Sequence, residues 1–249
     1  MATNVYRPDH FALQLAFAQK VATTASIALS QALFEYTQLW YWIKIGEPHS
    51  HENPVWQRYV AGLLQSEEPQ VWTAAFCHDR EEADVPNPAA KNPRFGCFSY
   101  SHWMRRLIRI HFSPQQPTPE GVIGKAQTAD RLAELTALFS HVKSNMPRAT
   151  RVRGGSWLYN IEAYRRLFPP EYVETASEVQ GDWQYMALWG QFYDRCGRVK
   201  EEMATRFLAC VEQQKTLEEI LDCFPYQVLQ PECAIQHFYD FYQIRSMPR

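Results

Sequence analysis

The sequence predicts an α+β fold: a central mixed, mostly antiparallel sheet with a long N-terminal helix and additional C-terminal helices. Three observations predict it. Apolar residues recur at steps of three and four early in the chain, short aromatic and β-branched runs fill the middle, and helical spacing returns after residue 199. The 249 residues suffice for one large core, and no repeat, low-complexity tract or Gly-Ser linker divides them. The expected organisation is a single domain, with a helical segment over 1–66, a strand-rich core over 70–193, and C-terminal helices and tail over 194–249.

Each element has its own signal. Over residues 8–45, Phe11, Leu15, Ala18, Ala22, Ala25, Leu29, Leu33, Tyr36, Trp40 and Ile43 form one apolar stripe, stopped by Gly46-Glu47-Pro48. A second helix over 54–65 opens on Pro54 and shows Trp56, Tyr59, Val60, Leu63 and Leu64 on one face. The runs 71–77, 95–100 and 107–112 read as strands, with a proline-containing loop over 79–93 between the first two. A helix over 124–143 is followed by a strand over 150–158, which the pair Gly154-Gly155 interrupts. A short helix over 161–168 ends at Pro169-Pro170. A strand hairpin is expected over 172–192, then helices over 199–211 and 216–223.

Composition narrows the function classes. Lys plus Arg number 25 against 27 Asp plus Glu, so no global positive field draws the chain to nucleic acid or to an anionic membrane. No apolar run reaches the roughly 18 to 20 residues that span a bilayer, and the N-terminus lacks the pattern of a secretory signal. A cytoplasmic location is expected, with the cysteines at 77, 97, 196, 210, 223 and 233 as reduced core thiols, since no C-x-x-C spacing occurs.

The chemistry concentrates between residues 107 and 168. Gly121-Val122-Ile123-Gly124-Lys125-Ala126 opens a helix, where glycines let backbone amides turn toward a phosphate and the helix dipole favours the anion. An ordinary loop has the same composition. Arg109 and His111 alternate with Ile108, Ile110 and Phe112, and Arg151 and Arg153 flank Val152, so two strands each pair a basic face with an apolar one. Such a face suits an anion, or it is a solvated surface covered by arginine stems.

The stretch resembles the GNAT-fold acyltransferase superfamily, whose cofactor motif R/Q-x-x-G-x-G/A lies at the junction of a central strand and helix. Gly124-Lys125-Ala126 matches the second half of that motif. Asn160-Ile161-Glu162-Ala163 with Phe168 is similar to the helix that follows the family's next strand. Gly121 stands where the family has Arg or Gln, and Tyr164 is out of register with its frequent general acid. The resemblance covers about a third of the chain. It implies an acyl-CoA co-substrate lying where two neighbouring strands splay, bound by Gly121, Gly124, Lys125, Ala126, Asn160, Arg109 and Arg153. It also implies a small-molecule or peptide acceptor, with His111, Tyr159 and Tyr164 as candidate acids or bases.

Other patterns are weaker. Ser156 lacks the second glycine of a hydrolase elbow, and His49-Ser50-His51-Glu52 and His78-Asp79 with Glu81-Glu82 lack metal-ligand spacing, so no metal is expected. The aromatic run 236–242 suits docking on the core or on a partner chain, with His237 a minor acid/base candidate. A non-catalytic binding or scaffold protein is the competing class, since the N-terminal apolar stripe could pair with a partner or make a homodimer.

Overall fold

Prolines and side-chain caps set where several of the helices begin. The structure, a computed structural model, describes residues 8–80, 92–103, 106–113, 121–179, 188–194 and 197–245. Its contacts divide the chain into two compact units, Met1–Asn87 with Gly181–Pro225, and Pro88–Gln180 with Tyr226–Arg249.

In the first unit the described helices are α1 (Pro8–Ala25), α2 (Leu29–Tyr36), α3 (Leu39–Trp42), α4 (Pro54–Gln65), α5 (Pro69–Asp79), α9 (Glu201–Gln213) and α10 (Leu217–Asp222). The long helix expected over 8–45 is therefore three helices. Ser26 adopts φ +55°, ending α1, and Thr37 is extended with its hydroxyl donating to the Leu33 carbonyl, ending α2. Asn53 caps α4 by accepting from Val55 N–H, and Thr216 with Glu219 forms a reciprocal capping box on α10.

The run 71–77, expected as a strand, is helical and belongs to α5. Pro69 occupies its first turn, Thr73, Ala74, Phe76 and Cys77 are buried, and the Trp72 indole donates to Tyr59 O across from Gly62. Packing against α1 and α4 decides a segment whose short apolar run fits either element. Phe17, Trp189, Phe192, Phe207 and Phe224 form an aromatic cluster in this unit. Cys210 and Cys223, expected as thiols, form a disulfide with Cα atoms 5.8 Å apart, because the turn between α9 and α10 folds the two helices together. Cys77, Cys97 and Cys233 are buried and outside that disulfide, and Cys196 lies outside the described residues.

The second unit carries the sheet. Its strands are β1 (Arg94–Phe95), β2 (Phe98–Trp103), β3 (Leu107–Phe112), β4 (Arg151–Arg153) and β7 (Glu232–Ala234), in spatial order β1-β2-β3-β4-β7. The β3–β4 pair is parallel and the other pairs are antiparallel. Helix α6 (Thr128–Asn145) crosses between β3 and β4, preceded by a 3-10 turn at Lys125–Gln127. Leu135, Leu138, Phe139 and Val142 of α6 join Phe98, Tyr100, Ile108, Ile110, Val152 and Cys233 in one core, together with Phe238 and Tyr242 around α11 (Ile235–Phe241).

Past β4, a 3-10 turn at Trp157–Asn160 leads to α7 (Glu162–Arg165) and α8 (Pro170–Val173), so Pro170 opens a helix as well as closing the segment before it. The hairpin expected over 172–192 is not seen in its described part. There β5 (Ser177–Glu178) pairs with β6 (Leu229–Gln230), and Trp189–Phe192 is a 3-10 turn; residues 180–187, with the expected hairpin tip, lie outside the described residues, as do 81–91 of the expected loop. Among the described residues no helix is long and apolar enough to cross a membrane.

Candidate functional site

Strand register sorts side chains onto two faces of the sheet. Residues paired across strands share a face, so Ser99, Ser101, Arg109, His111, Arg151, Arg153 and Glu232 lie together, opposite the apolar set packed on α6. The alternation legible at 108–112 and 151–153 becomes a polar face built from four strands. Glu232, 79 residues beyond Arg153, was not identified from the sequence, because no local pattern announces a partner that far along the chain.

The polar face is tightly interlinked. The Glu232 carboxylate takes hydrogen bonds from Arg151 on Oε1 and from Arg153 on Oε2. Burial pushes its carboxyl up, but the two arginines outweigh that and hold it below the usual carboxylate range. Ser101 Oγ lies 2.7 Å from His111 Nε2. Burial, with the Arg109 charge beside it, pushes His111 down to about 4, so the imidazole is neutral at neutral pH. Arg109 stands opposite Arg153 in the parallel register, and burial together with the Arg153 charge lowers its affinity for its proton.

Here the strands part. The β3–β4 ladder stops at Arg109 and Arg153, while β3 continues to Phe112 alongside β2. The chain after β4 turns the other way, with Gly154 N–H donating to Pro231 O and Ser156 N–H to Leu229 O. The two glycines make the departure possible. A Cβ on Gly154 would come within 2.2 Å of the Tyr159 hydroxyl and 2.4 Å of the Tyr172 hydroxyl, and one on Gly155 within 3.0 Å of Arg109 Nη2.

The glycine turn lies at the same end of the sheet. Arg131 reaches both Val122 O and the sulfur of Cys97, the residue before Phe98, whose partner is Phe112. Arg166 donates to Ile123 O at 3.2 Å. Gly121 has φ +80° with open space where a Cβ would be, and Gly124 N–H is used internally, donating to Gly121 O at 3.0 Å. Lys125 and Ala126 are exposed at the helix start, and among the described residues their amides meet no acceptor.

The remaining sequence candidates fall elsewhere. Tyr159 and Tyr164 are buried in the core on the apolar side, each 2% exposed, with the Tyr159 and Tyr172 hydroxyls 2.9 Å apart. Burial holds both phenols well above their usual value. Asn160 secures the loop, donating to Trp157 O and Gln227 O. His237 faces Glu171 at 3.7 Å. Among the described residues no group of three or more His, Cys, Asp or Glu side chains could hold a metal ion.

No family model, curated protein or solved structure matches the chain.

Proposed function

We propose that the protein is an acyl-CoA-dependent acyltransferase of GNAT-like fold that moves an acyl group to an amine or similar nucleophile. The observation that carries this reading is the parallel pair β3–β4, which parts after Arg109 and Arg153 beside a glycine turn at a helix start. A thioester needs such a gap: its carbonyl must sit within reach of an acceptor on one side while the nucleotide phosphates lie near backbone amides on the other. Lys125 and Ala126, exposed at the helix start, offer backbone amides that suit the phosphates.

In the reaction the acceptor nitrogen attacks the thioester carbonyl, the C–N bond forms, the C–S bond breaks, and the thiol leaves with a proton. His111, neutral and oriented by Ser101, is the group on the polar face able to accept the acceptor's proton. Tyr159, whose hydroxyl lies in the core behind Gly154, and Tyr164, packed against the Tyr159 ring, are the secondary acid candidates. A cytoplasmic location goes with this reading, since acyl-CoA is its co-substrate.

Isothermal titration with acetyl-CoA and longer acyl-CoAs tests the reading. Binding that Gly124→Leu weakens at least about tenfold, equivalent to about 1.4 kcal/mol, is the expected result; absence of binding to every CoA ester refutes it. The scaffold reading is favoured by a separate feature of the helical unit, an apolar groove lined by Ala12, Leu15, Leu29 and Leu63 with Leu64 and Val71 exposed. Light scattering at several concentrations tests its homodimer version, which a strictly monomeric result removes.

A further inference from the structure

We propose that Ser101, hydrogen-bonded to His111 across β2 and β3, is a nucleophile that cleaves short-chain carboxylic esters on the polar face of the sheet. The proposal shares His111 with the acyltransferase reading and does not depend on it, since the acyl donor is an oxygen ester and the final acceptor is water.

Strand register brings the two groups together. Ser101 pairs with Arg109, and His111 stands two residues further along β3, so its ring reaches Ser101 on the diagonal of one face. The Ser101 Oγ lies 2.7 Å from His111 Nε2, within the range at which a base takes a proton from a nucleophile. With the ring proton on Nδ1, Nε2 accepts from the hydroxyl. Burial and the Arg109 charge keep the imidazole unprotonated at neutral pH. The same charge favours the oxyanion that forms when Ser101 attacks a carbonyl.

Both side chains are within reach of a substrate. Ser101 and His111 are half-buried, and β1 pairs only with Phe98 and Ser99. Among the described residues no strand therefore lies beside β2 at Ser101 on that side. The surrounding face is polar, which suits a short acyl group over a long apolar chain. Among the described residues no carboxylate is hydrogen-bonded to His111, so the pair is a dyad without the orienting acid of a triad, and its turnover is slow.

In the first step Ser101 Oγ bonds to the ester carbonyl carbon while its proton passes to His111 Nε2. The C–O bond to the alcohol then breaks, and the alcohol leaves with that proton. Water attacks the acyl-serine in the second step, giving a proton to Nε2. The carboxylic acid departs, and Ser101 takes the proton back.

The slow dyad calls for activated probes on the full chain: p-nitrophenyl acetate, read as nitrophenolate release, and a small alkyl fluorophosphonate, mapped by mass spectrometry. An initial burst of nitrophenolate and a fluorophosphonate adduct on Ser101 are expected. Ser101→Ala should remove that adduct and lower the burst rate about tenfold or more. His111→Gln should slow labelling of Ser101 about tenfold or more, which a pair that only fastens β2 to β3 would not do. If His111→Gln does not fold by circular dichroism, labelling of the parent protein at different pH carries the test. Its rate should be level near neutral pH and fall as His111 gains a proton toward about pH 4. No adduct on Ser101, unchanged labelling in folded His111→Gln, or a rate that stays level down to about pH 4 overturns the proposal. A Ser101 adduct without binding of any CoA ester supports the esterase and removes the acyltransferase. CoA ester binding without a Ser101 adduct does the reverse.

Discussion

The two faces of the sheet are made by the same strands and differ in almost every physical respect. One face presents Phe98, Tyr100, Ile108, Ile110 and Val152 to α6 and is closed to water. The other presents Ser99, Ser101, Arg109, His111, Arg151, Arg153 and Glu232, half-buried or exposed and joined by hydrogen bonds. Apolar burial stabilises the first, while the second gathers three arginines and a carboxylate at positions that keep contact with water. The lesson is one of placement: the face that contributes little to holding the fold together is the one free to carry chemistry.

The largest effect should come from the closed face. Phe139→Ala, which removes a fully buried ring stacked near Phe238 and Tyr242, should cost about 3 to 5 kcal/mol in urea unfolding, while Arg151→Ala on the open face should cost less than about 1 kcal/mol. Similar losses for the two variants would break the comparison.

Acid should act next, through His111. Its folded value of about 4 lies below the 6.5 of a free imidazole. As pH falls, the unfolded chain therefore takes up the proton first. The contribution is complete above about pH 6.5 and is lost progressively toward pH 4, reaching at most about 3 kcal/mol. Unfolding of His111→Gln, measured at pH 7, 5.5 and 4.5, should show a shallower decline than the parent protein. His10 in the helical unit, also at about 4, gives the same slope to both proteins.

A smaller effect probes the junction of the faces. Gly154→Ala drives a methyl group against two buried tyrosine hydroxyls and should lower stability by about 2 kcal/mol, readable as a shift in urea midpoint. The smallest concerns Glu232, whose carboxyl is depressed in the folded chain. Its contribution is present above the unfolded carboxylate value and fades as pH falls through the folded one. Glu232→Gln should remove that dependence at a cost below about 1 kcal/mol near neutral pH, because the pair partners are partly solvated.

Much of this arrangement is legible in the sequence. The alternation at 107–112 identifies β3 and both of its faces, and Pro54 with its apolar positions marks α4 to the residue. What escapes is settled by distant packing. The run 71–77 is apolar enough for a strand and becomes helical against α1 and α4, and the stripe over 8–45 is cut by Ser26 and Thr37, whose backbone angles leave no mark on hydrophobic spacing. In the site, Arg109, Arg153 and His111 share a face as their alternation implies. Tyr159 and Tyr164 lie in the core, which position along the chain alone could not reveal. Glu232 and the Cys210–Cys223 bridge depend on chain reversals that no local pattern encodes.

The position of β7 has a consequence for how the protein is made. β4 emerges from the ribosome with one edge unpaired, and the strand that covers it follows after the whole of Gly181–Pro225, which belongs to the other unit. At translation rates of about 5 to 20 residues per second, a separation of 79 residues leaves that edge uncovered for roughly 4 to 16 seconds. Arg151 and Arg153, still lacking their carboxylate, then serve as charged guards against pairing with a neighbouring nascent chain. Arginines that later hold Glu232 would thus first protect the half-built sheet.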